Sequence, residues 1–424
     1  MSGPGWFRRR PESAAGTSAA AETPVATKSL KKRGVALTAS SAALVLAAGI
    51  GVVAFASPGS HASLVSADSP AQRSIQGRAA DAAPSIQVLS VTPAAGTQAV
   101  NGTGPVKVQF SSPLAANSPL PTFSPSIAGT WAVSGDTAIF TPAVGWTQDT
   151  KVTLTIPGGL AGVVSAAGQQ AGDGGTLTST LSKSFTTASF STLRLQQLLS
   201  QLGYLPLTWT STSATDTSAS DAKAQLAAAY SAPAGSFSWQ SGYPWELTDQ
   251  WKAGSSNILD VGAIRAFESV SGLTMDGEAS ATVWNDLFAA VAKDKTNPNG
   301  YTYALASQVI PERLKIWHDG KLVLETAANT GISDAPTVDG TFPVYLKYVF
   351  SYMKGTNPDG TPYDDPVWYA SYFNGGDAVH EFDRPGYGYN QSLGCVEIPM
   401  DEAKQAYPYL TYGSLVTVTG PVGA

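Results

Sequence analysis

The stretch at residues 378–399 reads AVHEFDRPGYGYNQSLGCVEIP, and it decides how the carboxyl-terminal part of the chain is interpreted. It holds Cys395, the only cysteine among 424 residues, and His380, one of three histidines. A cysteine attacks carbonyl carbon as its thiolate, and a neighbouring imidazole supplies the thiolate by taking the proton. The separation from 380 to 395 lets one strand turn and the next run beside it. Cys395 and His380 are therefore candidates for nucleophile and general base.

The residues beside Cys395 fit this chemistry. Gly394 lets the backbone approach a substrate closely, and backbone N–H groups near Gly394 and Cys395 are candidate donors to an oxyanion. Ser392 is a candidate for a hydrogen bond within the site. The structural alternative is a small buried hydrophobic residue between Gly394 and Val396, which is where free cysteines commonly lie.

Composition limits the function classes. Charged residues make up only 13 % of the chain, with 42 glycines and 28 prolines, which favours β-rich modules joined by linkers. The net charge of −6 argues against nucleic-acid binding, which needs a basic face. A single cysteine excludes an intramolecular disulfide and a multi-cysteine metal site.

The amino-terminal part predicts export. Residues 34–56 carry no charge and are long enough to cross a bilayer, with the basic residues of 1–33 before them. By the positive-inside rule, 1–33 form a cytoplasmic tail and 34–56 anchor a protein whose later domains face outward from the cell membrane. The alternative is a long signal peptide, cleaved to give a secreted protein. Residues 57–84 are rich in Ala, Ser and Pro and predict a flexible linker.

Residues 85–188 contain short alternating runs separated by turn residues at roughly ten-residue spacing, the pattern of a β-sandwich. They resemble the bacterial immunoglobulin-like modules of surface proteins. No polar cluster in them points to chemistry, and a spacer role is expected, with binding of the wall or of a partner as the alternative.

Residues 189–293 predict three short helices, interrupted by an insertion at about 207–257. The helical residues resemble the small peptidoglycan-binding domain of wall enzymes, whose pattern is met at 202–204, 263–267 and 272–277. The insertion carries aromatic residues that either stack on sugar rings or pack against a neighbouring domain. These are Trp239, Tyr243, Trp245 and Trp251.

Residues 301–424 return to a β pattern. RLKIWHDGKLVLETAANTG, residues 313–331, predicts a hairpin that turns at Asp319 and Gly320. The following stretch is rich in Pro, Gly and aromatic residues and is expected to form an irregular lid over a site. Three of its aromatic residues are candidates to line the cleft: Tyr345, Trp368 and Tyr372.

From about residue 306 to 420 the chain resembles the L,D-transpeptidase catalytic domain of bacterial cell-wall enzymes. The signature is a histidine followed some fifteen residues later by S-x-G-C and an apolar residue, here His380 and then Ser392, Gly394, Cys395 and Val396. DGTFPV at 339–344 also fits. The complete expected fold is a mostly β, multidomain chain with a membrane anchor, a β-sandwich, a three-helix domain and this catalytic domain.

The resemblance implies a function in peptidoglycan biosynthesis, cell-wall biogenesis and cell shape. Cys395 would attack a donor stem tetrapeptide and expel D-alanine, and the side-chain amine of a neighbouring stem would aminolyse the thioester to give a 3-3 cross-link. His380 would serve as general base. The resemblance implies no metal and no cofactor, and it implies that carbapenems form an adduct at Cys395.

Three positions depart from the common family pattern. Glu381 stands where Gly or Ser is frequent, Leu393 where many members have a second histidine, and Glu397 where Arg or Asn is frequent. A negative charge at Glu397 would raise the pKa of the thiol and oppose an anionic stem peptide, unless its side chain points to solvent.

Four carboxylates near the motif have two interpretations. They orient His380 or bind a substrate amine, or they are solvated loop residues; the four are Asp377, Glu381, Asp383 and Asp401. The functional alternatives to a transpeptidase are a non-catalytic peptidoglycan-binding wall protein and a hydrolytic L,D-carboxypeptidase. Only the enzymes require a reactive Cys395.

Overall fold

The computed structural model describes residues 85–167, 175–212 and 221–420. The predicted basic tail, the apolar segment 34–56 and the linker 57–84 lie outside these ranges. Within the described ranges no helix is long and apolar enough to span a membrane.

The first domain is a sandwich of two antiparallel sheets. One sheet has the strand order β1-β2-β5-β4 and the other β3-β6-β7. Alternate residues of the central strands are buried between the sheets, as expected for a strand with one apolar face. The strands are β1 (Val88–Thr92), β2 (Val106–Phe110), β3 (Thr122–Ser124), β4 (Gly129–Ser134), β5 (Thr137–Pro142), β6 (Lys151–Ile156) and β7 (Leu181–Thr186), with a 3₁₀ turn at Gly159–Ala161.

The second domain contains three main helices and an inserted hairpin. Ser191 and Asn257 cap the first and fourth helices through their side chains, and Gly272 ends the fourth with φ of 70°. The inserted strands β8 and β9 pair with each other. The elements are α1 (Thr192–Gln201), β8 (Leu207–Ser211), α2 (Ala222–Tyr230), β9 (Gly235–Trp239), α3 (Trp245–Thr248), α4 (Ile258–Ser271) and α5 (Ala281–Val291).

The aromatic residues of the insertion divide between packing and exposure. Trp239, Tyr243 and Trp251 pack against the core of the helical domain. The Tyr243 hydroxyl also donates to the Tyr301 carbonyl oxygen at 3.1 Å, at the start of the third domain. Trp245 is 71 % exposed. Three of the four side chains are therefore packed against this core, Tyr243 also reaches the third domain, and Trp245 is exposed to solvent.

The third domain places two sheets around an apolar core. A five-stranded sheet has the order β12-β11-β10-β18-β13, and a four-stranded sheet has the order β14-β15-β16-β17. The elements are β10 (Thr302–Ser307), β11 (Arg313–His318), β12 (Lys321–Ala327), β13 (Gly340–Pro343), β14 (Leu346–Thr356), β15 (Pro362–Asn374), β16 (Asp377–Glu381), β17 (Val396–Ile398), α6 (Met400–Ala406) and β18 (Leu415–Thr419).

The core anchors the two strands that carry the site. Val379, Val396 and Ile398 are buried together with residues of the five-stranded sheet. Burial of such side chains contributes about 1.5–3 kcal/mol each. The ends of β16 and β17 are thus held in place by packing on one face.

The predicted hairpin at 313–331 is confirmed, since β11 pairs antiparallel with β12. Asp319 and Gly320 form its turn with φ of 46° and 74°, the left-handed values that a tight hairpin turn needs.

The expected irregular lid is instead a long regular hairpin. β14 and β15 pair from Leu346–Tyr372 to Thr356–Pro362, and residues 357–361 make the turn. Pro366 is accommodated because β16 pairs with β15 only from Trp368 onward, so Pro366 faces a single neighbouring strand. The many Pro and Gly residues of this stretch made its strand pattern hard to recognise from the sequence.

Candidate active site

Parallel pairing of β16 with β17 brings His380 and Cys395 to one cavity. The register aligns Val379 with Val396 and His380 with Glu397, and Cys395 directly precedes β17. Extending this register by one residue puts Cys395 two positions from His380 on the same face, about 8 Å between Cα atoms from the usual strand spacing and rise. Both side chains line a cavity of about 430 Å³.

A buried serine shapes the turn before the nucleophile. The Ser392 hydroxyl donates to the Cys395 carbonyl oxygen at 2.6 Å and accepts from the Gly394 N–H at 3.3 Å. Gly394 has φ of 117°, a value that glycine adopts without strain. The Gly394 N–H, predicted to face an oxyanion, is thus directed at Ser392 instead. Ser392 and Gly394 fix the conformation in which Cys395 is presented.

The imidazole of His380 is oriented by the backbone. It is 2 % exposed, and its Nδ1 lies 2.6 Å from the Glu381 carbonyl oxygen. A carbonyl oxygen only accepts, so Nδ1 carries the proton and Nε2 is left as an acceptor. Burial lowers the pKa of His380; the hydrogen bond to the Glu381 carbonyl and the charge of Glu397 oppose this, and the charge of Arg384 adds to it. His380 is therefore a neutral base at physiological pH.

The thiol lies beneath the β14–β15 hairpin. Cys395 Sγ is 3.9 Å from Met353 Sδ and 3.9 Å from the Gly376 carbonyl oxygen. Burial raises the pKa of Cys395 to about 12; the charges of Asp377 and Glu397 add to this, and the Ala378 N–H opposes it. In the part of the chain that the structure describes, no hydrogen bond joins Sγ to the imidazole. Thiol and imidazole are therefore both neutral at rest.

Glu397 is neither exposed nor unpaired. It is 4 % exposed, and Arg384 binds it with Nε and Nη2. The Arg384 side chain also lines the cavity. The solvent-facing alternative for Glu397 is thus excluded, and a cation offsets its charge. Sequence reasoning missed Arg384, although it is the one Arg or Lys within residues 378–399.

The cavity receives only one of the three aromatic residues predicted to line it. Tyr372 lines it, whereas Trp368 is 40 % exposed and packs at a tilt against Phe350 on the far face of the hairpin. Strand alternation explains this, because the neighbouring Val367 takes the inward position. Tyr345 lies outside the lining and donates its hydroxyl hydrogen to the Gly375 carbonyl oxygen. Sequence reasoning missed other lining residues of the hairpin: Tyr352, Met353, Lys354 and Tyr363.

The four candidate carboxylates occupy different environments. Asp377 lines the cavity, and burial raises its pKa to about 6. Glu381 is buried, and it is its backbone carbonyl that orients the imidazole. Asp383 and Asp401 are exposed. Leu393, where a second histidine is frequent in the family, also lines the cavity. Within the described ranges, no group of three His, Cys, Asp or Glu side chains is arranged to hold a metal ion.

Two family models match the chain. Residues 303–418 match YkuD, the L,D-transpeptidase catalytic domain, and residues 81–191 match the bacterial Ig-like domain. Both of these predicted resemblances are confirmed. Residues 192–302 lie outside both matches, so the peptidoglycan-binding role of the helical domain stays a prediction. No curated protein sequence matches the chain.

Solved structures of L,D-transpeptidases are similar to this chain. The catalytic domain of the E. faecium L,D-transpeptidase is 33 % identical, with 28 % of this chain and 96 % of that chain covered and a TM-score of 0.26. The same domain acylated by ertapenem is 32 % identical, with 28 % and 97 % covered and a TM-score of 0.26. An L,D-transpeptidase from Mycobacterium smegmatis is 15 % identical, with 79 % and 99 % covered and a TM-score of 0.26.

The family assignment rests on the residues that the family model matches. Residues 303–418 contain every residue of the His380 to Val396 signature. Residues 303–418 of the chain therefore belong to the family of L,D-transpeptidase catalytic domains.

Proposed function

We propose that this protein cross-links peptidoglycan stem peptides through a thioester on Cys395. The observation that carries the proposal is the shared cavity of Cys395 and His380, with Nδ1 of the imidazole held by a backbone carbonyl and Nε2 left as an acceptor. This arrangement supplies a nucleophile and a base within one parallel strand pair. The family model over residues 303–418 gives the substrate class.

The first half-reaction forms the acyl-enzyme. Sγ of Cys395 attacks the carbonyl carbon between the third and fourth residues of a donor tetrapeptide, and the thiol proton moves to Nε2 of His380. The C–S bond forms, the C–N bond breaks, and His380 returns the proton to the departing D-alanine amine. Because thiol and imidazole are both neutral at rest, proton transfer accompanies the attack.

Substrate entry requires movement of the β14–β15 hairpin. Met353 lies against Sγ, so a carbonyl carbon reaches the sulfur only after the Met353 side chain is displaced. Methionine suits this position because its unbranched chain changes rotamer easily. The hairpin thereby limits access of water to the thioester.

The second half-reaction joins two stems. The side-chain amine of a neighbouring stem's third residue attacks the thioester carbon, the C–N bond forms, the C–S bond breaks and the thiol is regenerated. The product is a 3-3 cross-link. Attachment of other amines to stem peptides follows the same route.

The remaining parts of the chain are assigned supporting roles in this proposal. The uncharged segment 34–56 and its basic flank support a membrane anchor, or a signal peptide whose removal releases the protein. Either route places the catalytic domain outside the cytoplasm, facing the wall. The immunoglobulin-like domain would act as a spacer, and the helical domain would bind peptidoglycan.

An adduct with carbapenems also belongs to the proposal. The E. faecium domain acylated by ertapenem is 32 % identical to this chain. A strained lactam carbonyl is open to the same sulfur, and the adduct would add the mass of the drug at Cys395.

The test uses the full chain with purified disaccharide-tetrapeptides. We expect loss of D-alanine, an acyl-enzyme visible by intact mass and a 3-3 dimer identified by fragmentation. Cys395→Ser should abolish all three, and Asp383→Asn, at an exposed carboxylate, should retain them. Tripeptide without dimer would overturn the transpeptidase in favour of a hydrolytic carboxypeptidase. Absence of any acyl-enzyme would overturn it in favour of a non-catalytic wall-binding protein.

A further inference from the structure

The cavity contains one carboxylate placed directly beside the nucleophile. Asp377 is the first residue of β16, and its side chain lines the cavity together with Cys395 and His380. A Cβ built on Gly394 would lie 2.5 Å from Asp377 Oδ1, so the carboxylate rests against the residue that precedes Cys395. A group bonded to the thioester carbon would therefore meet Asp377.

Within the described residues Asp377 has no cationic partner, in contrast to Glu397. Of the two cations that line the cavity, Arg384 binds Glu397 and Lys354 binds Asp364 at 2.8 Å. Asn374 Nδ2 donates to Asp377 Oδ2 at a weak 3.3 Å. Among the residues that the structure describes, no cation lies within 4.0 Å of the Asp377 carboxylate. Its carboxylate oxygens are thus available to the N–H groups of an amine substrate.

Within the proposed function, on which this inference rests, we propose that Asp377 receives the acceptor amine. Its carboxylate binds the amine as it enters the cavity and accepts the proton that the nitrogen loses on bonding to the thioester carbon. His380 serves the first half-reaction, and Asp377 serves the second. A negative cavity wall selects amines over anionic nucleophiles.

The proton balance of the second half-reaction closes on Asp377. The acceptor gives one proton to solvent and binds as a neutral amine with an N–H donated to the carboxylate. Its lone pair attacks the thioester carbon, and the nitrogen becomes cationic and acidic in the adduct. It passes a proton to Asp377 as the C–S bond breaks, and Asp377 passes that proton to the departing sulfur. Amide and thiol result, and Asp377 is a carboxylate again.

The negative charge of Asp377 has opposite effects on the two half-reactions. Burial raises the pKa of Asp377 to about 6, which makes it a stronger base than an exposed carboxylate while leaving it charged at neutral pH. The same charge raises the pKa of Cys395 and so opposes thiolate formation in the acylation step. A residue that hinders acylation and assists aminolysis can be recognised by opposite effects on the two steps.

The experiment compares wild type, Asp377→Asn and the control Asp383→Asn as full chains. Acylation by a tetrapeptide donor is followed by intact mass, and glycinamide is added as the acceptor at fixed concentration. We expect Asp377→Asn to acylate at least as fast as wild type, while the ratio of amide product to hydrolysed product falls about tenfold or more. Asp383→Asn should change neither quantity.

Asp377→Glu separates a chemical role from packing. It keeps the carboxylate and should retain most of the wild-type product ratio. Equal losses in Asp377→Asn and Asp377→Glu would assign Asp377 to packing and overturn the inference. An unchanged ratio in an Asp377→Asn enzyme that still acylates would overturn it while leaving the proposed function intact. Failure of wild type to acylate would instead overturn the proposed function.

Discussion

The Arg384 guanidinium donates two hydrogen bonds to the Glu397 carboxylate, one from Nε at 2.8 Å and one from Nη2 at 2.6 Å. Glu397 is the residue aligned with His380 across the β16–β17 pair. The pair thus neutralises a buried charge two residues from Cys395 and close to the imidazole. Its bidentate geometry is specific to arginine.

Removal of the Arg384 side chain alone should destabilise the folded protein. Arg384→Met leaves Glu397 buried without its partner, and we expect a loss of about 3 kcal/mol in the free energy of unfolding. The uncompensated charge should also raise the pKa of Cys395 further and slow acylation. Urea unfolding and the acylation rate measure the two effects. The double variant Arg384→Met with Glu397→Met should recover most of the stability; a double variant as unstable as the single one would show that the ion pair is not the cause.

The second prediction concerns the Met353 contact with the thiol. Met353→Ala removes the sulfur that lies 3.9 Å from Cys395 Sγ, and it admits water to the cavity. The pKa of Cys395 should fall toward its ordinary value because burial is the main cause of its rise. We expect faster alkylation by iodoacetamide at pH 8, together with more hydrolysis of the acyl-enzyme. Val349→Ala, an exposed position of the same strand, is the control. Equal rates in both variants would exclude Met353 as the barrier.

The third prediction is the pH dependence of the wild-type thiol. The thiolate is the reactive form, and a pKa raised to about 12 means that its fraction keeps growing through the alkaline range. Alkylation of the free enzyme should therefore rise about tenfold per pH unit from pH 7 to pH 10. A plateau below pH 9 would contradict this. Slow labelling at neutral pH is thus expected of the active enzyme, so acylation by a donor peptide is the better criterion of activity.

The fourth prediction concerns stability. Glu268 is 1 % exposed in α4 and accepts a hydrogen bond from the Gly277 N–H at 2.8 Å. Burial raises its pKa from 4.5 to about 7, so the folded state binds this proton more tightly than the unfolded state does. The contribution of Glu268 to stability should therefore fall as pH rises from about 4.5 through about 7.

Glu268→Gln tests this sign. The variant keeps an acceptor for the Gly277 N–H and loses the titration, so its thermal midpoint should decline less than that of wild type between pH 5 and pH 8. Glu278→Gln, at an exposed position in the following loop, should behave like wild type. Parallel pH profiles for wild type and Glu268→Gln would refute the assignment.

Local patterns in the sequence were sufficient to predict several secondary-structure elements. Alternation with Asp319 and Gly320 between two runs predicted the β11–β12 hairpin, since turn chemistry acts over a few residues. Local patterns gave the wrong prediction for residues 346–374, where prolines and glycines suggested an irregular lid. Those residues form a regular hairpin because the prolines lie in its turn, at the first residue of β15 and at a position with one neighbouring strand.

The sequence alone was enough to recognise the catalytic domain and to predict Cys395 as nucleophile and His380 as base, because the spacing of His380, Ser392, Gly394 and Cys395 is a one-dimensional signature. Three further features were visible only in the folded chain: Met353 covers the thiol, Arg384 neutralises Glu397, and Trp368 faces away from the cavity. These contacts depend on strand register and on which face of a strand is buried. A register shift of one residue would move the side chains of a strand to its opposite face. The residues concerned also lie on separate strands and loops, which come together only in the folded chain.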